Sequence, residues 1–290
     1  MLLETKDKFP QWCEDIETNY ELLLSDDIDS FMCYVLQKEL FNRECRYFID
    51  VNYKKINGVG EQMLYSTSDN IDWNNIIGLD IALENNVKCW DNHITRYSIN
   101  DEYNRNSANM NVISNVCSYN YKSKFVVSSF ITMLSYYNID ISTWSNEQLS
   151  VLSCIDGVYT PFLRPEFKGQ GRKNLEILGY GLLADFIEEN LQYIVSIEYK
   201  YNLKSGKIWV DEDGLLKTNI DLLGLELLFY DVFKTSFSLP DYIFKPLETY
   251  KSTFVELGSK YTKQLLNKND RLMNFALVFK NRAVISYNMN

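Results

Sequence analysis

Residues 25–40 read Ser-Asp-Asp-Ile-Asp-Ser-Phe-Met-Cys-Tyr-Val-Leu-Gln-Lys-Glu-Leu and contain the clearest helical pattern near the start of the chain. The apolar residues at helical spacing are Ile28, Phe31, Met32, Val35, Leu36 and Leu40. Ser25 or Asp26 can act as the N-cap, and Asp26, Asp27 and Asp29 lie where the helix dipole favours anions. The pattern predicts a helix with a capping start, although three aspartates could instead hold a divalent cation.

Further helices are predicted around this one, which sets the fold class. A shorter helix is expected before residue 25, and others over 124–137 and from Ser145 to Cys154. Prolines at 161 and 165 mark the best boundary between two parts. We therefore predict an α+β fold with an acidic, mainly helical part at 1–160 and a mixed part at 161–290, which could also form one continuous domain.

The second part is expected to combine helices with an antiparallel β-meander. Its predicted elements are a helix over 172–190 with a break near its glycines, strands over Tyr193–Tyr201 and Lys207–Val210, helices over 221–235 and 246–267, and a hairpin over Phe275–Tyr287. Turn residues between the first two strands, and again at Asp213-Gly214, support the meander.

The chain contains one histidine, His93, and this scarcity limits the possible chemistry. Histidine is the usual general base near neutral pH and the commonest metal ligand, so two-histidine metal sites are excluded. Cys89 lies four residues before His93, but a Cys–His nucleophile also needs an orienting group. An ordinary polar histidine beside Trp90 is the favoured interpretation. No metal site and no cofactor are predicted.

The acidic excess of the chain lies entirely in its first half. Residues 1–150 contain 12 Lys/Arg and 22 Asp/Glu, whereas residues 151–290 contain 17 of each. An acidic surface attracts basic partners and repels nucleic-acid phosphate, so non-specific nucleic-acid binding through the first half is not expected. The same acidity could simply keep the protein in solution.

Glu198 and Lys200 form an E-x-K triplet on the predicted strand Tyr193–Tyr201, where alternation places them on one face. The triplet resembles half of the PD-(D/E)xK nuclease motif, which implies metal-dependent cleavage of a phosphodiester. That family also needs an aspartate, usually on a preceding strand, and Asp185 is the candidate here although its segment has a helical pattern. The alternative is a pair of solvated charges.

The most basic stretch of the chain is a candidate anion-binding segment. Its candidate residues are Arg164, Lys168, Gly169, Gly171, Arg172 and Lys173. Glycine turns, basic side chains and the free N–H groups at a helix start can bind phosphate or carboxylate. The spacing matches neither common phosphate-binding motif, and a surface loop is the alternative.

Two further motifs have weaker resemblances. Asp211-Glu212-Asp213 is similar to the acidic pair with which some glycosyltransferases bind a metal-nucleotide, but a hairpin turn accounts for it as well. Ser66-Thr67-Ser68, with Arg46 upstream, resembles part of the ADP-ribosyltransferase pattern, and no fitting E-x-E follows it. No family is adopted on these residues.

These observations favour a binding protein over an enzyme. The sequence contains no apolar run long enough for a transmembrane helix. Four of its first ten residues, Glu4, Lys6, Asp7 and Lys8, are charged where a signal peptide would be apolar. A cytoplasmic protein without membrane contact is therefore expected. We predict a non-enzymatic interaction protein of the immunity, inhibitor or assembly kind, whose partner has a basic surface. The alternative is a metal-dependent phosphodiesterase using the E-x-K triplet.

Overall fold

The structure is a computed structural model that describes residues 1–51, 59–269 and 271–288. Its strands are β1 (Glu21–Leu24), β2 (Cys45–Ile49), β3 (Val59–Ser66), β4 (Ile76–Leu79), β5 (Lys88–Trp90), β6 (Ser107–Ala108), β7 (Ile208–Val210), β8 (Leu216–Thr218), β9 (Lys245–Glu256), β10 (Arg271–Phe279) and β11 (Arg282–Asn288). Its helices are α1 (Leu3–Lys6), α2 (Ile28–Phe41), α3 (Met110–Ile113), α4 (Ser129–Tyr136), α5 (Asn146–Cys154), α6 (Pro165–Ile177), α7 (Gly181–Lys200), α8 (Leu222–Phe229) and α9 (Lys263–Asn269).

In the described part of the chain, nine strands form one sheet in the order β10-β11-β9-β3-β2-β1-β4-β5-β6. The neighbouring strands β2, β1, β4, β5 and β6 pair parallel to one another. The remaining strands β3, β9, β11 and β10 pair antiparallel with their neighbours. From β1 the chain passes through α2 to β2 on one side and later reaches β4 on the other. Ligand sites of open parallel sheets lie at such a switch point, outside the carboxyl ends of the strands.

The parallel strands are buried on both faces, which explains their composition. Leu22 and Leu24 of β1 face one apolar cluster, Leu23 faces another, and all three are fully buried. Strands covered on both sides need continuous apolar runs rather than alternating ones. Short runs of this kind cannot be distinguished from buried helix by periodicity alone.

The α+β class is confirmed, but the prediction of a helix-dominated first part is wrong. Residues 1–160 contribute β1 to β6, most of which are five residues or fewer and lack a periodic pattern. The second part supplies β9, β10 and β11 to the same sheet. The division at residue 160 stays a prediction.

Two predicted elements of the second part have the wrong secondary structure. Tyr193–Tyr201 was expected as a strand but belongs mainly to α7, whose buried Ile187, Ile194 and Ile197 follow helical spacing. The predicted helix 246–267 is instead β9 followed by α9, because β9 fills the place between β3 and β11. The Phe275–Tyr287 hairpin is confirmed, with its turn at Lys280-Asn281.

Helix α2 connects the centre of the sheet to the candidate site. Its N-cap is Asp27, whose side chain accepts from the Ser30 N–H, rather than Ser25 or Asp26. Residues 28–37 of α2 are all buried, since the helix packs between β1 and α4. Among the residues that the structure describes, no helix is long and apolar enough to cross a membrane.

Candidate metal centre

Acidic residues follow directly after three neighbouring parallel strands. Asp27 and Asp29 come after β1, Asp80 comes after β4, and Asp91 with His93 comes after β5. Because β1, β4 and β5 are parallel and adjacent, their carboxyl ends meet at one edge of the sheet. The fold therefore brings together side chains that are up to 66 positions apart in the sequence.

A fourth segment completes the cluster from outside the sheet. Asp156 lies in the 3₁₀ turn Ile155–Gly157 after α5 and has a left-handed backbone, with φ at 51°. Its carboxylate accepts a hydrogen bond from the Asn92 side-chain amide at 2.7 Å, which connects it to the loop after β5. Asn and Asp adopt this backbone conformation more readily than most residues.

The hydroxyl of Ser30 holds the ends of β1 and β4 together. Its Oγ donates to the Leu79 carbonyl at 2.9 Å and accepts from the Ser25 N–H at 2.8 Å. Asp27 caps α2 one turn away. The two acidic strand ends are thus fixed relative to each other by a buried side chain.

Asp29 and Asp80 are both anchored to the start of α4. The Asp29 carboxylate accepts from the backbone N–H groups of Ser129 and Phe130, each at 2.8 Å. The Asp80 carboxylate accepts from the Ser129 hydroxyl at 2.8 Å. A helix N-terminus stabilises carboxylate charge, so α4 partly offsets the cost of placing these acids together.

Asp91 orients His93. The His93 Nδ1 lies 2.7 Å from Asp91 Oδ1, and the other oxygen of Asp91 accepts from the Asn109 side chain at 2.7 Å. Because a carboxylate can only accept, Nδ1 carries the proton and Nε2 is left for another partner. A carboxylate that fixes a histidine in this way is typical of metal-binding histidines.

The distances within this group suit a metal ion. One ligand atom from each of Asp80, Asp91 and His93 lies within 4.8 Å of the others. In the described ranges of the chain, no other group of three His, Cys, Asp or Glu residues meets this condition. Carboxylates with one imidazole can bind Mn²⁺ or a similar divalent cation.

The acidic cluster raises the pKa of its own carboxyl groups. Burial raises the pKa of Asp29 and of Asp80 well above the ordinary value, and the neighbouring carboxylates raise both further. Loss of contact with water also raises the pKa of Asp156, although the charges of Lys124 and His93 oppose this. Asp29, which is buried, and Asp80, which is half-buried, therefore resist ionisation unless a cation joins them, whereas Asp156 is an exposed residue.

The pKa shift of His93 favours its charged form, whereas the pKa shifts of the carboxyl groups favour their neutral forms. Burial alone would lower its pKa, but attraction to Asp91, Asp80 and Asp156 outweighs burial and raises the pKa to about 9. The histidine therefore carries a positive charge near neutral pH when no metal is bound. It supplies one positive charge to a cluster of several acids.

A cleft of about 280 Å³ opens beside the cluster. Its lining includes Asp27, Asp29 and Asp156 together with Lys204 and Lys207. Lys207 pairs with buried Asp26 at 3.1 Å. Burial raises the pKa of Asp26 to about 6 in spite of this lysine.

The three residues of the predicted E-x-K site do not converge. Lys200 pairs with Glu147 at 2.5 Å, and Asp185 pairs with Arg172 at 2.9 Å. On one helix, Asp185 and Lys200 lie about 20 Å apart along the axis, and residues two apart do not share a face. Glu198 is buried, accepts from the Tyr159 hydroxyl at 3.1 Å and lines the acidic cleft.

The predicted anion-binding segment is a helix rather than a loop. All its candidates except Arg164 lie within α6, and Arg164 is the N-cap. Lys168 pairs with Glu188, and Arg172 pairs with Glu188 and Asp185, so both positive charges are already balanced. Lys173 is exposed, and Gly169 and Gly171 are helical positions rather than turns. The anion-binding role stays a prediction.

The weaker sequence motifs have structural explanations. The Asp211 carboxylate accepts from the backbone N–H groups of Asp213 and Leu215, as expected for a hairpin turn. Cys89 is fully buried, and burial raises its pKa, so a reactive thiolate is not favoured. Arg46 stacks on Tyr242 at 4.0 Å and is not part of the acidic cluster.

Asp80, Asp91 and Asp156 were not recognised as site residues from the sequence, and His93 was interpreted as an ordinary polar side chain. One signal is present in the sequence: Asp80 directly follows the short apolar run Ile76–Leu79, and the acids at 26 and 27 follow a similar run at 22–24. This signal becomes specific only when the runs are known to be adjacent parallel strands. Comparisons with protein-family models, curated proteins and solved structures found no match.

Proposed function

We propose that the protein is a divalent-metal-dependent hydrolase of phosphoesters, with its metal centre at the carboxyl ends of β1, β4 and β5. The observation that carries this proposal is the convergence of Asp80, Asp91 and His93 within 4.8 Å. Asp80 and His93 would bind the ion and Asp91 would hold the imidazole, beside the buried Asp29 and the cleft residue Asp156. The reaction class agrees with the alternative derived from the sequence, but the residues differ.

The cluster has too few positive charges of its own. His93 and Lys124 are the cations that act on Asp80 or Asp156, whereas carboxylates from four chain segments raise the pKa of Asp29 and Asp80. Placing like charges together in a buried site costs free energy unless a cation compensates. A bound divalent ion supplies that compensation, and the anchored geometry keeps the site ready for it.

Mn²⁺ or Mg²⁺ fits the donor set best. Carboxylate oxygens suit both ions, and one imidazole nitrogen is better tolerated by Mn²⁺. Asp91 would hold His93 in the ligating orientation through its 2.7 Å contact to Nδ1. Asp29 and Asp27 would lie on the cleft side, where a second ion or the substrate can bind.

Basic residues near the acids favour a phosphate substrate. Lys124 lies close enough to Asp156 to lower its pKa, and Lys204 lines the cleft. A bound divalent ion would lower the pKa of a water molecule and neutralise charge on a phosphoryl oxygen. Hydrolysis of a phosphoester would add a water hydroxyl to phosphorus, break the bond from phosphorus to the ester oxygen, and transfer the remaining proton to the leaving oxygen.

Mn²⁺ titration by calorimetry, combined with hydrolysis of bis(4-nitrophenyl) phosphate, tests the proposal. We expect the wild-type protein to bind Mn²⁺ and release 4-nitrophenol only when metal is present. Asp80→Asn should reduce both by more than about 100-fold, because it removes a direct ligand rather than an outer partner.

Asp69→Asn is the matched control, since Asp69 is an exposed acid outside the cleft. It should leave binding and hydrolysis unchanged. Absence of Mn²⁺ and Mg²⁺ binding by the wild-type protein would refute the metal centre. Metal binding without hydrolysis of any phosphoester would limit the site to a structural role.

A non-enzymatic interaction with a basic protein is a second proposal. It is supported by the acidic excess of residues 1–150. Five of those acids, namely Asp26, Asp29, Glu84, Asp91 and Asp101, are buried, so the surface of this half is less acidic than its composition indicates. Pull-down at increasing salt tests it, because an electrostatic partner is lost as ionic strength rises.

A further inference from the structure

A second cavity lies next to the acidic cleft, since Thr160 lines both. It encloses about 430 Å³, and its lining is largely apolar. Tyr121 and Phe167 contribute aromatic rings, and Val126, Pro161 and Leu163 contribute aliphatic surface. A volume of this size is typical of sites that hold a small organic ligand.

Three basic side chains also line this cavity, namely Lys122, Lys124 and Arg164. None of them forms an ion pair within the part of the chain that the structure describes, although the charge of Lys124 acts on Asp156. In contrast, Lys168 and Arg172 on the same helix are paired with acids. An apolar cavity with unpaired cations fits an anion that has an apolar body.

The cavity and the acidic cleft share one lining residue. Thr160 lines both, and Lys124 lies near enough to Asp156 to affect its pKa. The backbone beside Lys124 is held in place by Asn111, which accepts from the Phe125 N–H at 2.8 Å and donates to the Asn92 carbonyl at 2.7 Å. Asn92 in turn holds Asp156. The cationic rim and the acids therefore keep a fixed spacing.

We propose that this cavity binds the organic group of the substrate, and that this group is planar and aromatic. The ring would stack against Phe167 and Tyr121 while Lys124 and Arg164 direct the phosphate toward the metal centre. The substrate class is then a free nucleotide or a similarly sized aromatic phosphoester. The catalytic part of this inference rests on the proposed function, but binding in the cavity does not.

A long nucleic acid is a poorer fit than a free nucleotide. The net charge of the chain is −10, and Asp156 and the other acids line the adjoining cleft. A polynucleotide needs an extended basic track along its backbone. Three unpaired cations around one cavity can neutralise one phosphate group.

Calorimetric titration with adenosine 5′-monophosphate and with ribose 5-phosphate tests this inference. Ribose 5-phosphate should bind the wild-type protein at least about tenfold more weakly, since it lacks the stacking group. Phe167→Ala should weaken the binding of adenosine monophosphate by about 5–100-fold and leave that of ribose 5-phosphate unchanged. Arg164→Ala should weaken both ligands.

Lys173→Ala is the matched control, because Lys173 is exposed on α6 and does not line the cavity. It should not change either affinity. The inference is overturned if adenosine monophosphate does not bind, if Phe167→Ala affects both ligands equally, or if a single-stranded oligonucleotide binds more tightly than the nucleotide. Mn²⁺ binding measured on the same protein separates this outcome from failure of the metal centre.

Discussion

Two groups of acidic residues in this protein differ in how their charge is balanced. At the strand ends, Asp29 is buried and Asp80 is half-buried beside other carboxylates, and loss of contact with water raises the pKa of both. On the α6–α7 surface, Glu188 bonds to Lys168 and Arg172, and these hydrogen bonds lower its pKa. Lysine and arginine side chains balance the surface acids, whereas we propose that a bound cation balances the acids at the strand ends.

This difference in charge balance separates the acid predicted from a sequence motif from the acids at the strand ends. Asp185 was chosen because it precedes an E-x-K triplet, but it belongs to the balanced surface group. An acid that already has an arginine or lysine partner has little free energy to gain from a metal ion. The absence of such a partner identifies the functional group better than a short motif does.

The largest contrast between the two groups is expected in their response to pH. Mn²⁺ binding requires ionised carboxylates and a neutral His93, yet the pKa of Asp80 is raised and that of His93 is about 9. Each bound ion should therefore release at least one proton, and affinity should rise about tenfold per pH unit between pH 6 and 8. Calorimetry in buffers of different ionisation enthalpy measures both quantities. An affinity that stays constant over this range would contradict the assignment.

Asp91→Asn tests the orientation of the histidine. The substitution removes the charge that holds His93 Nδ1, so Mn²⁺ affinity should fall by about 10–100-fold. Asp101→Asn is the control, since Asp101 is also a buried aspartate but accepts from the Tyr97 and Ser98 N–H groups away from the cluster. Equal losses in both variants would indicate a general effect of removing a buried charge.

Asp80→Asn should stabilise the metal-free protein while it removes metal binding. Because the pKa of Asp80 is raised from 3.8 in the folded chain, the unfolded chain ionises first as pH rises, and the folded state loses stability. Asparagine avoids this penalty, tolerates the positive φ of 52° and can still accept from Ser129. We expect the Tm at pH 7 in a chelator to rise by about 2–4 °C. A lower Tm would show that the cluster is not strained without metal.

Arg172→Ala should have the smallest effect. Arg172 contacts Asp185, Glu188 and Glu176 on a solvent-exposed surface, where water screens ion pairs. The Tm should fall by no more than about 2 °C, and Mn²⁺ affinity should not change. A loss of Mn²⁺ affinity comparable to that of Asp91→Asn would mean that the two acidic groups are coupled.

The sequence predicted the local helices better than the sheet. The capped start of α5 at Ser145 and the hairpin of β10 and β11 follow from residues close together in the chain. The parallel strands could not be recognised, because burial on both faces removes the alternation that marks a strand. The prediction of a strand at Tyr193–Tyr201 was wrong for the opposite reason. Its β-branched and aromatic residues are typical of strands, although its buried residues follow helical spacing.

The sequence indicates only part of the candidate metal centre. Asp26, Asp27 and Asp29 offer cation binding as an alternative to helix capping, and the structure shows Asp27 as the cap. His93 was noticed because it is unique. The sequence does not show that β1, β4 and β5 are neighbouring strands. Their adjacency brings together the acidic residues that follow each strand.

The pairing of β3 with β9 has a consequence for how the chain folds as it is synthesised. Val59 pairs with Thr253, so one edge of β3 has no partner until almost the whole chain has left the ribosome. At ordinary translation rates this delay lasts about 10–40 s. During that time β3 presents a row of unpaired backbone groups, which is the kind of surface on which nascent chains aggregate or recruit chaperones.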